Sequence, residues 1–107
     1  MTEVVVGKGR MFGKGVYANR DFKKDEVVIQ YNLSLLTKEG YADLAKEEKD
    51  FVHTHWGVMY LYGVPERYVN HSSAPNTFPD LKSKCDVALR DIRKGEQITT
   101  DATKDDA

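Results

Sequence analysis

A chain of 107 residues has room for one domain, near the lower end of the size at which a core holds itself together without staples. With 40% hydrophobic and 31% charged residues it has a soluble globular composition, and its formal charge of -1 gives no sign of direct nucleic-acid binding, so any basic face must be local. Lone Cys85 excludes an internal disulfide and a cysteine-rich zinc site, no apolar run approaches the roughly 18 residues of a membrane span, and "MTEVVVGKGR" lacks a secretory core, so a cytoplasmic protein without membrane contact is expected.

Residues 2–6 are β-branched and short, and "GKGRMFGKG" after them supplies four glycines, which predicts a strand and a flexible turn. "GVYA" predicts a second strand, "NRDFKKDE" a polar corner, and residues 27–36, "VVIQYNLSLL", a third strand. One short helix is expected, in "KEGYADLAKEEKDF", capped by Thr37, with Tyr41, Leu44, Ala45 and Phe51 on its apolar face and Gly40 weakening its start. "WGVMYLYGV" reads as an aromatic strand, "ERYVNHSSAPNT" as irregular, and "CDVALRDI", the turn "RKGE" and "QITT" as the closing strands. The chain is expected to be mostly β, without repeats, low-complexity tracts or linkers, and with residues 103–107 as a frayed acidic tail.

Several chemistries can be weighed against these segments. "GKGVYA" is no P-loop, because Lys14 is not followed by serine or threonine. His53 and His55 alternate about Thr54 and would share a strand face; with His71 they offer a metal triad, but packing or surface roles are expected. Asn70-His71-Ser72 fits a glycosylation acceptor, which a chain without a secretory signal does not use. Neither Ser72 nor Ser73 has the strand-turn-helix context of an esterase nucleophile. Turn chemistry accounts for Pro75 and Asn76 but leaves Arg67, Asn70 and His71 unexplained.

Taken in order, "GKGVYA", "VVIQY", "RYVNHSSAPN" and "ALRDIRKGEQITTD" resemble the SET-domain family of protein lysine methyltransferases, from about Val5 to Asp101. The resemblance implies one SET domain over 1–107: several small β-sheets of the β-clip type, and a C-terminal pseudoknot that is an exception to the usual topology rules. It implies S-adenosylmethionine as cofactor, S-adenosylhomocysteine as product, and no zinc. By similarity, Asn70 and His71 hold polar groups of the cofactor, Lys14 and Gly15 touch it through the main chain, Arg67 and Tyr68 shape its pocket, and Tyr31 lines the lysine channel. The implied substrate is a lysine-bearing protein, with DNA-associated basic proteins among the candidates.

Three features depart from the family. Ala102 stands where the family places its usual catalytic tyrosine, Ser73 stands where cysteine is common, and a cysteine-bearing zinc segment to wall the substrate channel is not expected. A second copy of the chain, as a homodimer, is one source for that wall; an open channel is the other. Two readings therefore stand, a small methyltransferase relying on Tyr31 and a non-catalytic module that binds S-adenosylmethionine or a protein partner.

Overall fold

The computed structural model describes residues 3–9 and 13–101. Ten short strands and two helical turns follow one another: β1 (Val4–Lys8), β2 (Lys14–Ala18), β3 (Val27–Gln30), β4 (Ser34–Leu36), α1 (Lys38–Asp43), α2 (Lys46–Lys49), β5 (Val52–His55), β6 (Val58–Leu61), β7 (Asn70–His71), β8 (Thr77–Asp80), β9 (Cys85–Ala88) and β10 (Gln97–Thr100), with a 3-10 turn at Glu66–Tyr68. They form three sheets, ordered β1-β2-β10-β7, β3-β9-β8 and β4-β6-β5. The mostly β fold of several small sheets is thus as the sequence implies.

Three local expectations need correction. The apolar run 27–36 is two strands in different sheets rather than one. At its break the Asn32 N–H leaves the ladder to donate to Glu66 Oε2, 2.5 Å away, and that carboxylate also accepts from Gly63 N at 3.0 Å. The helical segment is two turns, because Leu44 and Ala45 are extended between them; Thr37 does cap the first, its hydroxyl accepting from Gly40 N at 3.0 Å. Trp56 is in a turn: it and Gly57 have φ of 51° and 79°, the left-handed pair that a two-residue hairpin between β5 and β6 requires.

A repeat also emerges that the sequence reading missed. "RDFKKDE" at 20–26 and "RDIRKGE" at 90–96 form the same turn twice, related by a local quasi-twofold axis. Phe22 and Ile92 exchange backbone hydrogen bonds of 2.7 and 2.8 Å. Asp91 accepts from Lys24 N at 2.9 Å while Asp21 accepts from Lys94 N at 2.8 Å. Within each turn a glutamate closes the loop, Glu26 on Lys23 N and Arg20, Glu96 on Arg93 N and Arg90. Asp25, at φ 74°, takes the left-handed position that Gly95, at φ 93°, fills in the other copy. The flanking strands cross over: β2 before the first turn pairs β10 after the second, and β9 before the second pairs β3 after the first. Only seven-residue similarity with exchanged residues links the copies, too little for composition to reveal.

The core collects on this axis. Val16, Ala18, Phe22, Val28, Ala88, Ile92 and Ile98 are at most 3% exposed and pack as one cluster. Removing such side chains from water is the main stabilising term in a chain this short. Burial therefore fixes β10 between β2 and β7, which sets the geometry of the stretch "RYVNHSSAPN", the box, that precedes it in the chain.

Candidate functional site

β10 is the element that assembles the site. It pairs antiparallel with β2 through Gln97↔Tyr17 and Ile98↔Val16, and parallel with β7 through Thr99↔Asn70 and Thr100↔His71. The stretch "GKG" and the stretch "NHS", more than fifty residues apart in sequence, are thereby placed against each other: Asn70 Nδ2 donates to the Lys14 carbonyl at 3.1 Å. Gly15 fits this approach because a Cβ there would stand 3.4 Å from Asn70 Nδ2 and 3.3 Å from Gln97 Nε2. Tyr68 joins the group, its ring 4.9 Å beneath Lys14 Nζ and edge-on to Phe51 at 6.0 Å. His71 is exposed, its Nδ1 3.8 Å from Asp101 Oδ1.

The two asparagines of the box do different work. Asn76 is 3% exposed and binds the backbone of β10 as a further strand would: Nδ2 donates to the Gln97 carbonyl and Oδ1 accepts from Thr99 N, both at 2.8 Å. Thr77 Oγ1 adds a bond to the Thr99 carbonyl at 2.7 Å, and Ser72 N one to the Thr100 carbonyl at 2.9 Å. The last strand is thus clasped by the loop between β7 and β8, as the implied pseudoknot requires.

Arg67 lies beside the site with its guanidinium engaged elsewhere. Its fork binds Glu48 of α2 at 2.8 and 3.2 Å, Nε donates to the Tyr62 carbonyl at 2.9 Å, and the group lies 4.5 Å over the Phe51 ring. The hydrogen bond from Arg67 is the main cause holding the Glu48 carboxyl below its ordinary range, and the same bond raises the arginine. Arg67 therefore fixes the 3-10 turn that presents Tyr68 and Asn70, and ties it to the helical insertion.

Tyr31 leaves the end of β3 and belongs to a second cluster. Its hydroxyl donates to the Asp86 carboxylate, and its ring packs 5.2 Å from that of Tyr62. Tyr62 Oη in turn bonds His55 Nε2 at 2.8 Å, and the His53 ring is 4.4 Å from the Tyr62 ring. His53 and His55 thus pack on a tyrosine from one strand, while His71 lies in a different sheet. Near Asp86 the Cys85 thiol is pushed up, first by burial and then by the charges of Asp80 and Asp86.

Lys14, Gly15, Tyr68, Asn70 and His71 are brought together, Arg67 buttresses them, and Tyr31 stands with Asp86 and Tyr62. Ala102 lies outside the described residues. The sequence reading missed Asp86, for which a charge at the core-facing start of "DVALRDI" was a signal. Thr100 is set against His71 by the parallel pairing of β10 with β7. Thr100 Oγ1 is buried without a hydrogen-bond partner among the described residues.

The side-chain donor and acceptor of Asn70, the main chain of Lys14 and Gly15, and the Lys14 cation form a mixed set of polar groups. They suit S-adenosylmethionine, which carries a carboxylate, an ammonium, ribose hydroxyls and an adenine.

A SET domain family model matches residues 13–101. The chain is 30% identical over 116 residues to human "Histone-lysine N-methyltransferase 2D", covering 92% of this chain and 2% of that protein. It is likewise 30% identical over 114 residues to the "Histone-lysine N-methyltransferase, H3 lysine-4 specific" of Schizosaccharomyces pombe, covering 89% of this chain and 12% of the relative. The chain thus spans a small part of the length of these curated relatives. The crystal structure of a candidate histone methyltransferase of Plasmodium falciparum matches with a TM-score of 0.76 at 19% identity, covering 94% of this chain and 93% of the other. A chain of a humanized mutant of Chaetomium thermophilum Polycomb Repressive Complex 2 gives 0.73 at 22% identity, covering 95% and 15% respectively. At these identities the structural likeness concerns the fold.

Proposed function

Because the chain belongs to the SET-domain family, we propose that it transfers methyl groups from S-adenosylmethionine to the side-chain amine of a lysine in a protein. The observation that carries this reading is the convergence of Lys14 and Gly15 on Asn70 and His71 across β10. When bound, S-adenosylmethionine supplies a methyl group on a positively charged sulfur, open to in-line displacement by a neutral amine.

The chain's own residues then have definite tasks. Asn70 and the main chain of Lys14 and Gly15 orient the polar parts of the cofactor, and Tyr68 and Lys14 close one side. His71 and Asp101 form the rim. Tyr31, half-buried beside Tyr62, lines the path of the lysine and accepts a hydrogen bond from its amine. A lysine amine near pKa 10.4 must first lose its proton, and burial beside a positive charge favours that loss. Positioning supplies most of the remaining gain. The names of the curated relatives make histones the first substrates to test.

The experiment pairs binding with transfer. Titration with S-adenosylhomocysteine should show Asn70→Ala folded but bound about tenfold to a hundredfold more weakly, as expected for a lost bond to a charged or strongly polar ligand group. Tyr31→Phe should retain that binding and lower labelled methyl transfer to recombinant core histones. Undiminished binding by Asn70→Ala overturns the site.

Ala102 favours a second reading, a module that holds cofactor or partner without turnover, since one catalytic hydroxyl is commonly worth about a hundredfold. In that case the wild-type chain is inert and Ala102→Tyr gains activity. An active wild type whose rate depends on Tyr31 rejects the module.

A further inference from the structure

Asp86 is 2% exposed on a strand that runs through the core. Under the quasi-twofold relation, Asp86-Val87-Ala88 precede the second turn as Val16-Tyr17-Ala18 precede the first. Its counterpart is therefore Val16, which is 0% exposed. An apolar side chain meets the packing demand at this position in one half of the fold, so packing does not explain a carboxylate in the other. A buried carboxylate is costly unless it is hydrogen-bonded. This one accepts the hydroxyl of Tyr31.

We infer that Asp86 is a positioning residue for methyl transfer: by holding the Tyr31 hydroxyl proton, it leaves Tyr31 Oη facing the substrate lysine amine as a hydrogen-bond acceptor only. The inference rests on the methyltransferase reading above. A phenol carries one donor and two acceptor positions. Were its proton free to rotate, it would donate to the lone pair of the amine, the same pair that must point at the methyl carbon. With the proton committed to Asp86, Oη can only accept an amine N–H, and the lone pair stays available. The phenol is braced by the Tyr62 ring at 5.2 Å, and Tyr62 by His55 Nε2 at 2.8 Å, so its oxygen is held in place while the proton is held by Asp86. Asp86 acts through Tyr31 and makes no contact with the lysine. With alanine at 102, the acceptor geometry of Tyr31 carries more of the orientation.

The test compares Asp86→Val and Asp86→Asn, alone and with Tyr31→Phe. Valine is what the other half of the fold uses, and asparagine keeps an acceptor oxygen. Asp86→Val should lower kcat for core histone methylation by about tenfold to a hundredfold, with S-adenosylhomocysteine affinity unchanged. Asp86→Asn should recover most of that loss. In the Tyr31→Phe background Asp86→Val should cost little more, because both changes remove one interaction. In protein labelled with 3-fluorotyrosine, the 19F resonance that disappears in Tyr31→Phe should shift in Asp86→Asn. A fully active Asp86→Val, an undiminished effect in the Tyr31→Phe background, or an unmoved Tyr31 resonance overturns the inference while leaving the methyltransferase reading intact. An inert wild type overturns the reading and this inference together.

Discussion

Replacing Asn76 with alanine should unfold the protein far more readily than replacing Asn70, although both asparagines belong to one short box. Asn76 Nδ2 and Oδ1 each make a 2.8 Å bond to the backbone of β10, at Gln97 O and Thr99 N. Truncation removes both bonds and strands two main-chain groups beside a side chain that is 3% exposed. A stranded buried group costs about 1–3 kcal/mol, so the loss of two should be about 2–6 kcal/mol from a total of about 5–15. At roughly 4–8 °C per kcal/mol for a domain of this size, Tm should fall by at least about 8 °C. Asn70 is half-buried with a single 3.1 Å bond to the Lys14 carbonyl, and its loss should cost about 1 kcal/mol. Urea and thermal unfolding followed by circular dichroism measure both. Asn76→Asp serves as a control, because it keeps the acceptor for Thr99 N but sets an oxygen against the Gln97 carbonyl; it should be destabilised like the alanine variant. If Asn76→Ala lies within about 1 kcal/mol of wild type, the clasp on β10 is not what places Thr99 and Thr100 beside Asn70 and His71.

Two further expectations concern stability. Gly63→Ala should cost about 1–3 kcal/mol in urea unfolding, because a Cβ there would overlap the Asn32 carbonyl oxygen and lie 3.2 Å from Asn32 Cβ; a loss under about 0.5 kcal/mol would refute that close approach. Acid should weaken the paired turns. Glu96 is held below its ordinary range mainly by Arg90 and then by Arg93 N, and Glu26 mainly by Lys23 N and then by Arg20. Their stabilisation is therefore fully present above the unfolded carboxylate value of about 4.3 and is lost as pH falls through the lower folded values. Tm should hold from pH 7 to about 5 and drop below about 4.5, with a shallower drop in Glu96→Gln; an equal drop in that variant would remove Glu96 as a cause.

What the sequence determines by itself is local. β-branched runs, the Thr37 cap and the glycine turns write short strands and a helix start, since these depend on neighbours only a few residues away. The late box and the order of motifs also point to the family directly, and with it to the residues around Lys14 and Asn70. Tertiary structure decided the rest. That Asn76 braces β10 while Asn70 meets Lys14 cannot be read from two asparagines six residues apart, because their partners are brought in by a strand near the chain's end. The division of residues 27–36 between two sheets follows from Glu66 capturing the Asn32 N–H across the fold. The duplicated turn becomes visible only where Phe22 meets Ile92, since the two copies share a geometry of backbone bonds more than a run of residues. Asp86 reads in sequence as one more charge on a strand; its meaning comes from burial, which makes a carboxylate seek a donor, and Tyr31 is the donor that the packing of β3 against β9 supplies.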